Sequence, residues 1–202
     1  EQAAGNVYEV FETFIGVMDR VEKEFSISVL ESYRRLMSQS CEFVLSHEEN
    51  HGNITNHFAC YSYVAHKMGL FLYDQRYHAL GDRLLQRTLA LQSSEGWFEE
   101  YEGADAGYES RTLYYLAKLF VEFSKKDLLP LLSHSLNNFM RYCIHPDGSI
   151  GGEYGSRNTM ICYSAGFEIL SSYLPIAASF AKNIRLALKL RKTLTLNCLD
   201  LD

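Results

Sequence analysis

The residues best suited to chemistry lie in one stretch, Glu95 to Phe120, which reads EGWFEEYEGADAGYESRTLYYLAKLF. Its first half carries three glycines (Gly96, Gly103, Gly107), five acids (Glu95, Glu99, Glu100, Glu102, Asp105) and two tyrosines (Tyr101, Tyr108). Its second half sets Leu113, Leu116, Leu119 and Phe120 along one helical face. Polar and aromatic side chains on a loop held by a rigid helix suit catalysis or ligand binding; a packed helix–helix connection is the plainer reading. A pair drawn from Glu99, Glu100, Asp105, Glu109 and Glu153 would suit glycoside hydrolysis, a chemistry that demands a defined carboxyl separation. Trp97 suits stacking on a sugar face, or a place in the core. Ser110-Arg111 and Ser156-Arg157 read either as substrate grips or as caps and salt bridges. His47, His51 and His57 lack a thiolate or carboxylate partner at helical spacing, so no metal site is expected. The loop glycines match no phosphate-cradling pattern, and no cofactor is expected.

These residues need elements to position them. Apolar residues recur at three- and four-residue steps over Val7–Val21 and Ile27–Leu45, so both read as amphipathic helices. Further helices are expected from about Asn56 to Leu72, Arg76 to Leu91, through to Phe123, Leu128 to Cys143, Thr159 to Tyr173 and Pro175 to Leu190. No strand pattern interrupts them, and the fold class expected is all-α. A long polar loop followed by an apolar helix occurs three times, beginning HGNITNHF, EGWFEEYEG and DGSIGGEYG. Tyr101 and Tyr154 lie 53 residues apart, and the last two copies share Glu-Tyr, a nearby glycine and Ser-Arg. A period near 50 with two helices each means stacked helical hairpins with their long loops at one end. Such hairpins build a solenoid or a closed ring. The expectation is a single domain over residues 1–202, part of an α/α toroid with its loops lining a shared cleft.

Composition bounds the partners. A net charge of −6 with no basic run argues against nucleic acid. No apolar run reaches the roughly 18–20 residues of a membrane span. The 14 tyrosines suit flat, hydroxylated ligands, and equally fill helix interfaces. Five cysteines without a CxxC pair read as buried free thiols, which leans toward a reducing compartment. The chain opens on Glu1 and closes on Leu201-Asp202, and is expected to be a piece of a longer protein. Nothing in the sequence sets an oligomeric state.

Over residues 50–125 the sequence resembles a known family. NHFACYSYVAHKMGLFL followed by LLQRTLALQSSEGWFEEYEGADAGY is similar to the catalytic toroid of heparinase II/III-type polysaccharide lyases. In that group an Asn-His pair opens one inner helix, and a loop of Gln, Gly, aromatic and Glu residues leading to a Tyr opens the next. A C-terminal β-sandwich and the first part of the toroid are also usual there. The resemblance implies β-elimination on an acidic, uronic-acid-containing polysaccharide, in a periplasmic or secreted setting. Asn56 would neutralise the C6 carboxylate, His57 would take the C5 proton, and Tyr108 would act as acid, base or both. Tyr101 is the rival for the tyrosine role. Arg111 or Arg157 would lower the tyrosine pKa or grip a carboxylate, and Trp97, Glu153 and Tyr154 would line the substrate site. Two other readings stand beside this one: a hydrolase or epimerase using the loop carboxylates, and a non-catalytic module that binds glycan or protein. If the lyase reading holds, Asn56, His57, Arg157 and one of the two tyrosines face a common concavity.

Overall fold

A computed structural model describes residues 3–47, 52–150, 155–159, 161–190 and 194–195. It is helical almost throughout, as the periodicity predicts. The helices are α1 (Ala3–Val21), α2 (Ile27–Ser46), α3 (Thr55–Leu72), α4 (Gln75–Ala90), α5 (Ala106–Glu122), α6 (Leu128–Ser135), α7 (Arg141–Cys143), α8 (Ala165–Leu170) and α9 (Pro175–Lys189). A π-helical turn, Leu136–Met140, joins α6 to α7. The chain folds as two compact units, one of residues 1–52 and 60–87, the other of residues 53–59 and 88–202.

In the first unit, α1 and α2 pack on each other and on the body of α3, and α2 also bonds to the start of α4. Phe11, Cys41, Val44 and Met68 are almost fully buried there. Tyr8 stacks on Tyr61 with ring centroids 4.3 Å apart, and Phe14 meets Phe71 edge-on at 5.3 Å. Such pairs add about 0.5–1.5 kcal/mol beyond the area they bury.

The second unit is built around α5. Leu113, Leu116 and Leu119 are fully buried on the face that the sequence marks as apolar. Buried residues of α6, α8 and α9, among them Leu132, Phe167 and Ala181, complete that core. Gly166 is the contact that brings α8 onto α5, since a Cβ there would stand 2.9 Å from the Tyr114 Cα. Of the five cysteines, Cys41, Cys60 and Cys162 are buried and Cys143 half-buried, all four as free thiols. Cys198 lies outside the described residues.

The third repeat departs from expectation. A helix from Thr159 to Tyr173 is predicted, but α8 spans only Ala165–Leu170. Ahead of it, Ile161–Cys162 is extended and pairs in parallel with Leu194–Thr195. The backbone bonds explain this. The N–H groups of Arg157 and Thr159 are held by Asp105, and that of Tyr163 by the Ser110 hydroxyl. Those donors are satisfied outside a helix, and β-branched Thr159 and Ile161 favour the extended form.

Candidate functional site

The site is assembled within the second unit, from the start of α3, the loop before α5 and the segment around Arg157. Two backbone bonds lash the first two together: Thr55 N–H donates to Glu99 O at 3.3 Å, and Tyr101 N–H to Asn53 O at 3.3 Å. The Thr55 hydroxyl also donates to Glu99 O, and Asn53 Nδ2 to Glu99 Oε1 at 3.2 Å. Thr55 therefore fastens the loop instead of capping α3. Gly96 (φ +96°) turns the chain back so that Ser93 N–H reaches Trp97 O at 2.8 Å.

Glu100 sits where the three segments meet. It is 1 % exposed. Its carboxylate accepts from Asn56 twice, from the backbone N–H at 3.2 Å and from Nδ2 at 2.6 Å. Its carbonyl accepts the Ser156 hydroxyl at 2.6 Å. Burial pushes the Glu100 carboxyl above the usual range, while the Asn56 bonds and the charge of nearby His57 pull it down. The Asn56 carbonyl accepts from Arg111 Nη1 at 3.0 Å, so Glu100, Asn56 and Arg111 form one relay. The Arg111 guanidinium carbon lies 5.8 Å from the Tyr115 ring centre and 5.7 Å from that of Tyr163.

Asp105 does for the backbone what Glu100 does for the side chains. Its Oδ1 accepts the Tyr108 N–H at 3.0 Å and caps α5. Its Oδ2 accepts the Arg157 and Thr159 N–H groups at 3.0 and 3.2 Å. Ser156 N–H donates to Ala104 O at 2.8 Å, which fixes the same junction from the other side. Glu109 is buried too: Phe98 N–H donates to its Oε2 at 2.9 Å, and the Ser135 hydroxyl donates to its Oε1. Burial pushes its carboxyl up to about 8.

The structure therefore brings Asn56, Arg111 and His57 around one buried carboxylate. Arg157 is placed over the ring of Tyr101, its guanidinium carbon 4.1 Å from the centroid, and both side chains are exposed. Asn56 has no exposed surface, whereas His57 and Tyr108 are half-buried. Each of those two is the third residue of its helix, α3 and α5. Trp97 is half-buried, its indole N–H donating to Glu95 at 3.0 Å. Glu153, Tyr154 and His51 lie outside the described residues. Among the described residues no group of three or more His, Cys, Asp or Glu could hold a metal ion.

The Ser-Arg resemblance does not carry over to the backbone. Ser110-Arg111 lies inside α5, whereas Ser156-Arg157 lies in the loop ahead of α8. Sequence reading weighs Glu100 and Asp105 only as candidate members of a hydrolase pair, not as the anchors that hold the loops. An Asp three residues before Tyr108, just ahead of the apolar run, is the signature of a helix cap. Glu109, four residues before Leu113 and seven before Leu116, falls on the buried stripe. Nothing local separates buried Glu100 from its neighbour Glu99.

Comparison with known proteins supplies no family. No family model matches the chain, and no curated protein or solved structure shows significant similarity to it.

Proposed function

We propose that the chain is part of an α/α toroid acting on uronic-acid-containing polysaccharide by β-elimination, with His57 and Tyr108 as the proton-transfer pair. What supports this reading is the convergence of the long loops on Glu100 and Asp105, with His57 and Tyr108 at the same position of α3 and α5. Elimination needs the C6 carboxylate neutralised, the C5 proton removed and the departing O4 protonated. Asn56 serves by fixing Arg111, since its amide is held between Glu100 and that guanidinium. A guanidinium has five N–H donors, so Arg111 can keep Asn56 and still meet a carboxylate. Imidazole is the side chain best suited to act as a base at neutral pH, so His57 takes the C5 proton and Tyr108 donates to the leaving oxygen. Trp97, Tyr101 and Arg157 supply exposed or half-exposed aromatic and cationic surface for the chain of sugars. Glu153 and Tyr154 are assigned to the same surface on the resemblance alone.

One observation favours a second reading, a non-catalytic glycan-binding module: Asn56 is fully buried. The hydrolase reading is weaker. Glu100, Asp105 and Glu109 each have both carboxylate oxygens engaged by N–H or O–H donors. The test is ultraviolet absorbance of the C4–C5 double bond across alginate, heparan, hyaluronan and pectin. Elimination predicts a rising trace that Tyr108→Phe and His57→Ala each abolish. Glycan binding with flat traces on every substrate contradicts it and establishes the second reading.

A further inference from the structure

The first unit holds a cavity of about 270 Å³ between α2 and the turn into α4. Arg34, Ser38 and Glu42 line it from α2, at four-residue steps that put them on one helical face. Asp74, Arg76 and Tyr77 line it from the other side. Three guanidiniums, those of Arg34, Arg35 and Arg76, border this space against two carboxylates.

The two carboxylates are already taken. Arg76 donates to both Glu42 oxygens at 2.8 and 3.0 Å, and to Asp74 Oδ2 through Nε at 2.9 Å and Nη2 at 2.6 Å. These ties hold the Asp74 carboxyl below its ordinary range. Arg34 is fixed differently: Nε donates to Phe71 O at 3.1 Å and Nη2 to the Tyr73 hydroxyl at 3.2 Å. Its guanidinium carbon also lies 5.0 Å from the Tyr73 ring centre. Tyr73 holds that ring in place from a left-handed backbone (φ +57°), a costly conformation for a bulky side chain. The Arg34 Nη1 group and the whole Arg35 guanidinium make no bond to any described residue.

Tyr77 adds an independent sign. The residue is 1 % exposed and lines the cavity, yet its hydroxyl has no partner among the described residues. The hydroxyl is not sealed from the cavity space, so its O–H is open to a ligand there. Burial also holds this phenol above its ordinary pKa, so it remains an O–H donor.

We propose that this cavity binds a compact oxyanion, the carboxylate of a small organic acid or a sulfate or phosphate, between Arg34, Arg35 and the Tyr77 hydroxyl. Arg34 is pre-organised by its carbonyl and tyrosine bonds, so little ordering entropy is lost on binding. Arg76 ties down both Glu42 and Asp74 and offsets one of their two charges, and Arg34 and Arg35 bring the lining to one net positive charge. The cavity is larger than a bare ion needs and leaves room for a few carbons beyond the anionic group. The site lies wholly in the first unit and shares no residue with the elimination site, so either assignment can fail alone.

Isothermal titration with glucuronate, sulfate and inorganic phosphate, each at ionic strength matched with chloride, tests the proposal on the whole chain. Saturable heat is expected with at least one probe; glucuronate alone would assign the site to organic acids, and sulfate or phosphate alone to tetrahedral anions. Arg34→Gln with Arg35→Gln should weaken binding at least about tenfold, as expected for losing charge-assisted bonds. Tyr77→Phe removes only an unpartnered hydroxyl, so its melting temperature in chloride should be unchanged while Kd rises by about twofold to tenfold. No saturable heat with any probe, or binding that all three substitutions leave intact, overturns the proposal.

Discussion

At the scale of single residues, the buried carboxyls govern how stability responds to pH. The Glu109 carboxyl titrates in the fold at about 8, against an ordinary glutamate value of 4.5. The folded state therefore holds its proton more tightly than the unfolded chain. Its contribution to stability is fully present below the unfolded pKa and is lost as pH rises through the folded one. Glu100, raised by burial, acts in the same direction. Thermal melts should therefore show Tm falling between roughly pH 5 and pH 8.5. Glu109→Gln keeps an oxygen for the Phe98 N–H and an N–H for the Ser135 hydroxyl, so it should flatten that slope. A slope unchanged in the variant would locate the pH dependence elsewhere. Arg111 gives a second expectation: Asn56→Ala removes its anchor while leaving His57 and Tyr108, the proposed proton-transfer pair, in place. The variant should lose turnover more than glycan affinity, and a loss confined to affinity would make Asn56 a binding residue only.

At the scale of elements, one aspartate fastens a helix to a loop. Asp105 caps α5 through one oxygen and holds residues 157 and 159 through the other. Asparagine offers a single carbonyl and must give up one of these tasks. Asp105→Asn should cost roughly 1–3 kcal/mol, with faster amide exchange in residues 155–159 as the readout. Exchange unchanged there, with α5 frayed instead, would show that the cap is the weaker bond. Leu116→Ala, in the middle of the buried face of α5, should cost about 2–5 kcal/mol in denaturant melts. The helices were legible in the sequence because their apolar residues recur with a helical period and bury as that period implies, as Leu113, Leu116 and Leu119 do. Thr159 and residues 161–164 were not, because the N–H groups of Thr159 and Tyr163 are held by Asp105 and Ser110, about fifty residues earlier. The short pairing of Ile161–Cys162 with Leu194–Thr195 is likewise a contact no local pattern records.

At the scale of the molecule, the sequence offers the candidate side chains but not what ties them together. Asn56, His57, Tyr101, Tyr108, Arg111 and Arg157 stand out by type and spacing. The relay through Glu100 depends on burial, and burial distinguishes it from Glu99 only once the chain is folded. The result is a set of histidine, tyrosine and arginine side chains at the starts of α3 and α5 and on the loops beside them, tied together by two buried acids. The central claim is that this set carries out elimination, and the mass of the products decides it most directly. Elimination splits a polysaccharide without adding water, so fragment masses should sum to that of the substrate, and digestion in ¹⁸O-labelled water should leave them unlabelled. Fragments heavier by one water, carrying the label at the new reducing end, would contradict the account and return the activity to a hydrolase.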